Sequence, residues 1–222
     1  MSSTADRADR DTINGWLARS FLKASGIWGS GLDVMLTALR AEIRDHGNTG
    51  FPLQQIEREM ARRGQLLVFS DEEIEELLEI SYGEKRVLPL LTLLSPFIDT
   101  RHHVHVDYIY PWSQFTKAKL RKAGIADEEA EEMIEWVNGI ANLQLLDGLT
   151  NQEKSATFTG SWLKDAYPER AARQAYMDRH DLRFPKEHGG WLSPGNGPDG
   201  FMTFYEARHE CLKTRIKGIV GQ

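Results

Sequence analysis

The chain has 222 residues, 41% of them hydrophobic and 27% charged, with a formal net charge of −6. That length buries a sizeable core, as one domain or as a helical region plus a small module; the acidic balance is not that of a protein built mainly around phosphate. The lone Cys211 excludes an internal disulfide and a cysteine-rich zinc knuckle, while no apolar run nears the ~20 residues of a membrane span.

Taken in order, the polar start at residues 1–10 has no apolar segment of a secretory signal and is expected to be frayed. With the composition, this gives a cytoplasmic expectation without a membrane partner. From Asp11, apolar Ile13, Trp16, Leu17 and Phe21 recur at helical spacing, with Gly26 near the stop. Leu32, Met35, Leu36, Leu39 and Ile43 make a second amphipathic helix ending near Gly47-Asn48. Pro52 suits a first helical position, ahead of Ile56 and Met60. Ser70 with Glu73 forms a capping box that opens a helix through Ile74, Leu77 and Leu78, stopped near Gly83. The apolar stretch 84–94 reads as buried helix interrupted by Pro89. Residues 11–98 therefore read as an all-helical region whose motifs are packing motifs.

The next segment, 99–165, reads as a small separate module. A short strand through His105-Val106-Asp107-Tyr108 ends at Pro111, which cannot continue a paired strand. An apolar strand through Leu143-Gln144-Leu145-Leu146 reaches a turn at Asp147-Gly148, then a helix start carrying Asn151. Between them lie a basic cluster, Lys117, Lys119, Arg121 and Lys122, and the acidic run 127–135. Such a basic cluster is either a solvated helix face or a local patch that steers a polyanion. Pro168 opens a helix through Ala172 and Tyr176, and the glycine- and proline-rich 188–200 is a loop. A last helix puts Phe201, Phe204, Tyr205, Arg208, Leu212, Ile216 and Ile219 on one face, so 166–222 should pack back on the first region. The fold class is α+β, mostly α-helical with a small strand-bearing module.

Within that module, alternation along a strand points His103, His105 and Asp107 the same way. His102, His103 and His105 do not converge tetrahedrally on one strand, so a zinc site does not follow. The oxygens of Asp107 and Asn151 suit a hard cation such as Mg²⁺, which takes few protein ligands. A metal so held polarises a phosphodiester and stabilises its leaving oxygen.

Asp-X-Ile-X-Pro from Asp107, then Asn-Leu-X-Leu-Leu from Asn142 and Asn-X-X-Lys-Ser from Asn151, resembles the ββα-metal fold of HNH endonucleases. The closest likeness is to the C-terminal HNH domain of GmrSD-type restriction enzymes. Ser25-Gly26-Ile27-Trp28-Gly29-Ser30-Gly31, Leu39-Arg40, Tyr82-Gly83-Glu84-Lys85-Arg86 and Phe201-X-X-Phe204-Tyr205-X-X-Arg208 are similar to that domain's helical surroundings. The resemblance implies a metal-dependent endonuclease acting on DNA in bacterial defence, with Mg²⁺ or Mn²⁺ as cofactor. Asp107 and Asn151 would be the metal ligands, Asn142 would tie the loop that holds the catalytic site, and Lys154, Lys117 and Lys119 would lie near substrate phosphates.

One position departs from the pattern. The family's general base is a histidine directly after the aspartate, and Tyr108 stands there. A tyrosine of pKa ~10 is about one part in a thousand phenolate at neutral pH, and general-base assistance is worth roughly 10²–10⁴-fold. His105, on the Asp107 face but ~7 Å along the strand, is the alternative base. Three readings follow: a slow nuclease, a nuclease with a relocated base, or a catalytically impaired DNA-binding or partner subunit on a nuclease scaffold. The Asp-Gly-Gln-Gln-Arg motif of the nucleotide-dependent half of GmrSD-type proteins does not occur, nor does a Walker-type phosphate loop. A nucleotide-dependent restriction subunit is thus an expected partner, and the chain reads as stand-alone, split or part of a longer protein.

Overall fold

Helices dominate because apolar side chains recur at helical spacing through most of the chain. The computed structural model describes residues 4–23, 26–99, 101–186 and 189–220, so expectations placed on residues 1–3, Ser25 and His188 lie outside the described residues. The described chain divides into two compact units, one running to Leu77 and resumed from Ile216, the other spanning Leu78–Arg215.

The first unit holds α1 (Thr4–Leu22), α2 (Leu32–His46), α3 (Leu53–Arg62) and most of α4 (Asp71–Leu78). Helix α1 starts at Thr4 and not after a frayed stretch of ten residues. A tertiary contact anchors its early turns: Asp9 Oδ1 accepts the Phe51 amide at 3.0 Å. Gly31 precedes α2 with φ of 83°, a left-handed conformation that glycine adopts without steric cost. Trp16, Ile27, Met35, Leu39, Ile56, Met60 and Leu67 form the core of this unit. Ser70 and Glu73 make the expected reciprocal cap, Ser70 Oγ accepting from the Glu73 amide at 3.2 Å and Glu73 accepting from the Ser70 amide at 2.9 Å.

In the second unit the chain leaves α4 at Leu78, short of Gly83, because residues 80–82 pair with 138–140: the Tyr82 amide donates to Asn138 O at 2.8 Å and the Ile140 amide to Ile80 O at 3.0 Å. Helix α5 (Val87–Leu94) carries Pro89 in its first turn, where a missing amide proton costs little, so the proline does not interrupt it. This helix belongs with the strands and not with the N-terminal helices, so the expected boundary at residue 98 moves back to 77/78. Then come β1 (Val104–Tyr108), α6 (Lys117–Lys122), α7 (Asp127–Trp136), β2 (Leu143–Asp147), α8 (Gly148–Lys154), α9 (Thr159–Ala166), α10 (Arg170–Arg179), β3 (Phe184–Pro185), β4 (Trp191–Leu192) and α11 (Phe201–Val220). Strands β1 and β2 pair antiparallel, Asp107 opposite Gln144 and His105 opposite Leu146. The stretch read as a loop contributes β4, which pairs with β3 to make a second sheet of two strands, each two residues long. Fully buried Tyr110 centres an aromatic cluster with Phe115, Phe158, Phe201 and Phe204. On α11, Val220 is buried where Ile219, placed on the inner face by spacing, is 36% exposed.

The fold is thus α+β, mostly helical with two small antiparallel sheets. Among the described residues no helix is long and apolar enough to cross a membrane.

Candidate functional site

Strand β1 delivers Asp107 to a buried position because its register places Gln144 of β2 directly opposite. The Asp107 side chain is almost closed to solvent, with 7% of the residue exposed. Its Oδ2 accepts from Gln144 Nε2 at 3.0 Å and lies 3.0 Å from Lys154 Nζ. Lys154, the last residue of α8, is completely buried, and its ammonium also donates to the Tyr108 carbonyl at 2.6 Å. Helix α8 is aimed by Asp147, which caps it through the Thr150 amide at 2.9 Å.

Burial pushes the Asp107 carboxyl up from its ordinary range, opposed by the charge of Lys154 and the bond from Gln144. It pushes the Lys154 ammonium down, opposed by Asp107. Each charge thus opposes the effect of burial on the other. Such a pair costs desolvation on both sides, and removal of one partner strands the other. The Gln144 amide is oriented by its donation to Asp107, because the reverse orientation would set oxygen against carboxylate. Its own oxygen and the Tyr176 hydroxyl have no hydrogen-bond partner among the described residues, and both are buried.

Asn142 sits in a tight turn (Ile140–Asn142) just before β2 and is fully buried. It accepts the Tyr110 amide at 2.8 Å and donates to the carbonyls of Tyr110 at 2.9 Å and Val137 at 2.8 Å. The two bonds to Tyr110 fasten the exit of β1 to the entry of β2, and the third ties both to the end of α7.

Tyr108 points away from Asp107. Its hydroxyl donates to Asn138 Oδ1 at 2.9 Å, and its ring packs on Tyr82 with centroids 4.9 Å apart. Burial, with the neighbouring Tyr82, pushes its pKa up to about 12, so the phenol is further from a base than a free tyrosine. His105 is exposed and lies over the start of α8, its Nε2 3.5 Å from where a β-carbon on Gly148 would stand. Asn151 is half-buried on α8, one turn before Lys154 and near the same helix face.

The three lysines each have a partner within the chain. Lys154, placed by resemblance near substrate phosphates, has no exposed surface and spends its charge on Asp107, because the last turn of α8 faces the sheet. Lys117 pairs with Glu131 of α7 at 2.7 Å, and Lys119 donates to the Ser113 carbonyl at 2.7 Å. Arg121 pairs with Asp127 at 3.0 Å. The cluster that reads as basic along the chain is thus laced to the acidic run that follows it.

A divalent cation needs oxygen donors with unspent negative charge. Here the nearest positive charge to Asp107 is an ammonium 3.0 Å away. Among the described residues no group of three or more His, Cys, Asp or Glu side chains is placed to hold a metal. The Asp107 carboxylate is thus already engaged by an ammonium and a side-chain amide. Gln144 and Asn138 carry no assigned role in the sequence reading, and Tyr82 appears there only within a segment of the helical surroundings; only the strand register would have shown Gln144 facing Asp107. No family model matches the chain, and no curated protein is significantly similar to it.

Proposed function

We propose that this chain is an HNH-like subunit without hydrolytic activity, acting through its contacts in a GmrSD-type restriction or defence assembly. The supporting observation is the buried Asp107–Lys154 pair with its Gln144 bond, which occupies the carboxylate that the family pattern assigns to metal. Tyr108 agrees with it, since a phenol tied to Asn138 and pushed up to about 12 does not deprotonate water near neutral pH. The order of two antiparallel strands and a helix, tied by Asn142, supports a ββα-metal ancestry for this part of the chain.

The first unit supplies a contact surface. An open apolar groove of about 490 Å³ lies among Trp16, Phe21, Trp28, Leu36 and Ile43, with Phe21 53% and Leu36 45% exposed. Its expected occupant is the nucleotide-dependent subunit that the family resemblance implies. The same resemblance supports a second reading, a Mg²⁺-dependent DNA endonuclease using Asp107 and Asn151, with His105 as base.

Plasmid nicking with Mg²⁺ or Mn²⁺ separates the two. The natural chain is expected to leave supercoiled plasmid intact, as is Asp107→Ala. Cleavage by the natural chain that vanishes in Asp107→Ala would replace the binding reading with the enzyme. Recovery of cleavage in Tyr108→His would mark the base as the missing part of a decayed site.

A further inference from the structure

A second concave surface lies in the Leu78–Arg215 unit, away from Asp107 in sequence and built by different elements. The β3–β4 hairpin turns through Gly189 and Gly190, with φ of 90° and 82°, and is anchored by Phe184 against Phe204 of α11, centroids 5.8 Å apart. From this anchored hairpin Trp191 projects with 53% of its surface exposed. Arg183 lies over one face of the indole, its guanidinium carbon 3.6 Å from the ring centroid, and is steadied by Asp178 at 3.3 Å. Across from the hairpin, α10 presents Arg170 and Arg173, three apart and so on one helix face. Arg173 is fixed through Nη1 to the carbonyls of Tyr167 and Pro168, at 2.7 and 2.5 Å, which leaves Nε and Nη2 among its donors. Gln174, Met177 and Ser193 complete a cavity of about 250 Å³.

The features belong together chemically. The exposed indole offers a flat aromatic surface on which a planar group can stack. A guanidinium stacked on it extends the flat surface and adds positive charge. Two further arginines opposite suit an oxyanion, since guanidinium donors match phosphate bidentately. The cavity falls below the ~300 Å³ at which drug-sized pockets begin, so it takes one planar group and not several. Against these three arginines stand Asp178, already paired with Arg183, and exposed Glu169 at the start of α10.

We propose that the groove between α10 and the β3–β4 hairpin binds a nucleotide, its base stacked on Trp191 and its phosphate held by Arg170 and Arg173. The shared chemistry is a flat base joined to a phosphate, supplied either by an unpaired strand or by a free nucleotide. It does not rest on the reading of Asp107, and either can fail alone.

The test is fluorescence anisotropy of a short dye-labelled oligothymidylate at low salt, with unlabelled thymidine monophosphate and inorganic phosphate as competitors. The variants are Trp191→Ala, Trp191→Phe and Arg170→Ala; Trp191 and Arg170 are exposed, and circular dichroism confirms folding. Trp191→Ala is expected to weaken binding about tenfold, with much of the loss restored in Trp191→Phe. Arg170→Ala is expected to flatten the salt dependence by about 0.7 in log–log slope. Competition by the monophosphate assigns the site to free nucleotides, and its absence assigns it to a strand. Binding equal in the natural chain and all three variants, or no binding at all, overturns the proposal. So does displacement of the oligothymidylate by inorganic phosphate at the concentration at which the monophosphate displaces it.

Discussion

A buried ion pair tells more by its removal than by its presence. Asp107→Leu leaves the Lys154 ammonium in a dry site with only the Tyr108 carbonyl, and the expected cost is about 3–5 kcal/mol. Lys154→Met strands the carboxylate and should cost a similar amount. The double variant Asp107→Leu/Lys154→Met removes both charges and should return to natural stability or exceed it. Urea denaturation of the four proteins measures the coupling; additive losses would show that the two side chains do not act as a unit. His180 gives a pH prediction of definite sign. Burial, then Arg208 and Arg179, lowers its pKa from 6.5 to about 3, while its ring stacks on Tyr176 with centroids 4.2 Å apart. The folded state thus refuses a proton that the unfolded chain accepts below ~6.5. That contribution is whole above the unfolded value and is lost as pH falls from ~6.5 towards the folded one, at up to ~1.4 kcal/mol per pH unit. His180→Phe should show a shallower loss of urea midpoint between pH 6.5 and 4 than the natural chain; parallel curves would assign the acid sensitivity to other groups.

Elements that carry their own chemistry locally were the legible ones. The Ser70–Glu73 cap, the Pro52 entry to α3 and the apolar stripe of α2 each depend on residues within one or two turns. Strand pairing is different: which residue faces Asp107 is set by the register of two strands distant in sequence, and no local pattern names Gln144. The same limit applies to Lys154, whose charge reads as available until α8 turns it inward. Helix α9 escaped notice because its apolar face is short, Trp162 and Leu163, and its packing is glycine-dependent. A β-carbon at Gly160 would stand 2.4 Å from Pro194 O and 2.5 Å from Gly195 O, both backbone atoms that cannot step aside. That loop is held in turn by the Tyr110 hydroxyl, which accepts the Gly195 amide at 2.9 Å. Gly160→Ala should therefore cost ~1–3 kcal/mol by overpacking, read as a melting temperature lower by ~2–4 °C per kcal/mol. Gly197→Ala, with nothing within 4 Å of its added carbon, is the matched control and should melt close to the natural chain.

At the scale of the whole molecule, the net charge of −6 includes a basic run on α6 that pairs in part with the acidic run of α7. Lys117 with Glu131 and Arg121 with Asp127 pair two of the four cations of the basic run that reads as a phosphate track. Each exposed pair contributes little to stability, since solvent screens it. Its larger consequence is for long-range attraction, because a paired lysine presents almost no field to a duplex beyond the ~8 Å screening length of physiological salt. The natural chain is therefore expected to bind duplex DNA weakly and without sequence preference. Releasing the cations should reverse this at small structural cost. In Asp127→Asn/Glu131→Gln the net charge rises by two, α6 exposes unpaired Lys117 and Arg121, and duplex affinity should increase several-fold at low salt. The gain should shrink as salt rises, with a log–log slope steeper by about 0.9 for each new phosphate contact. Unchanged duplex binding in that variant would mean that α6 faces no nucleic acid even when its charges are free.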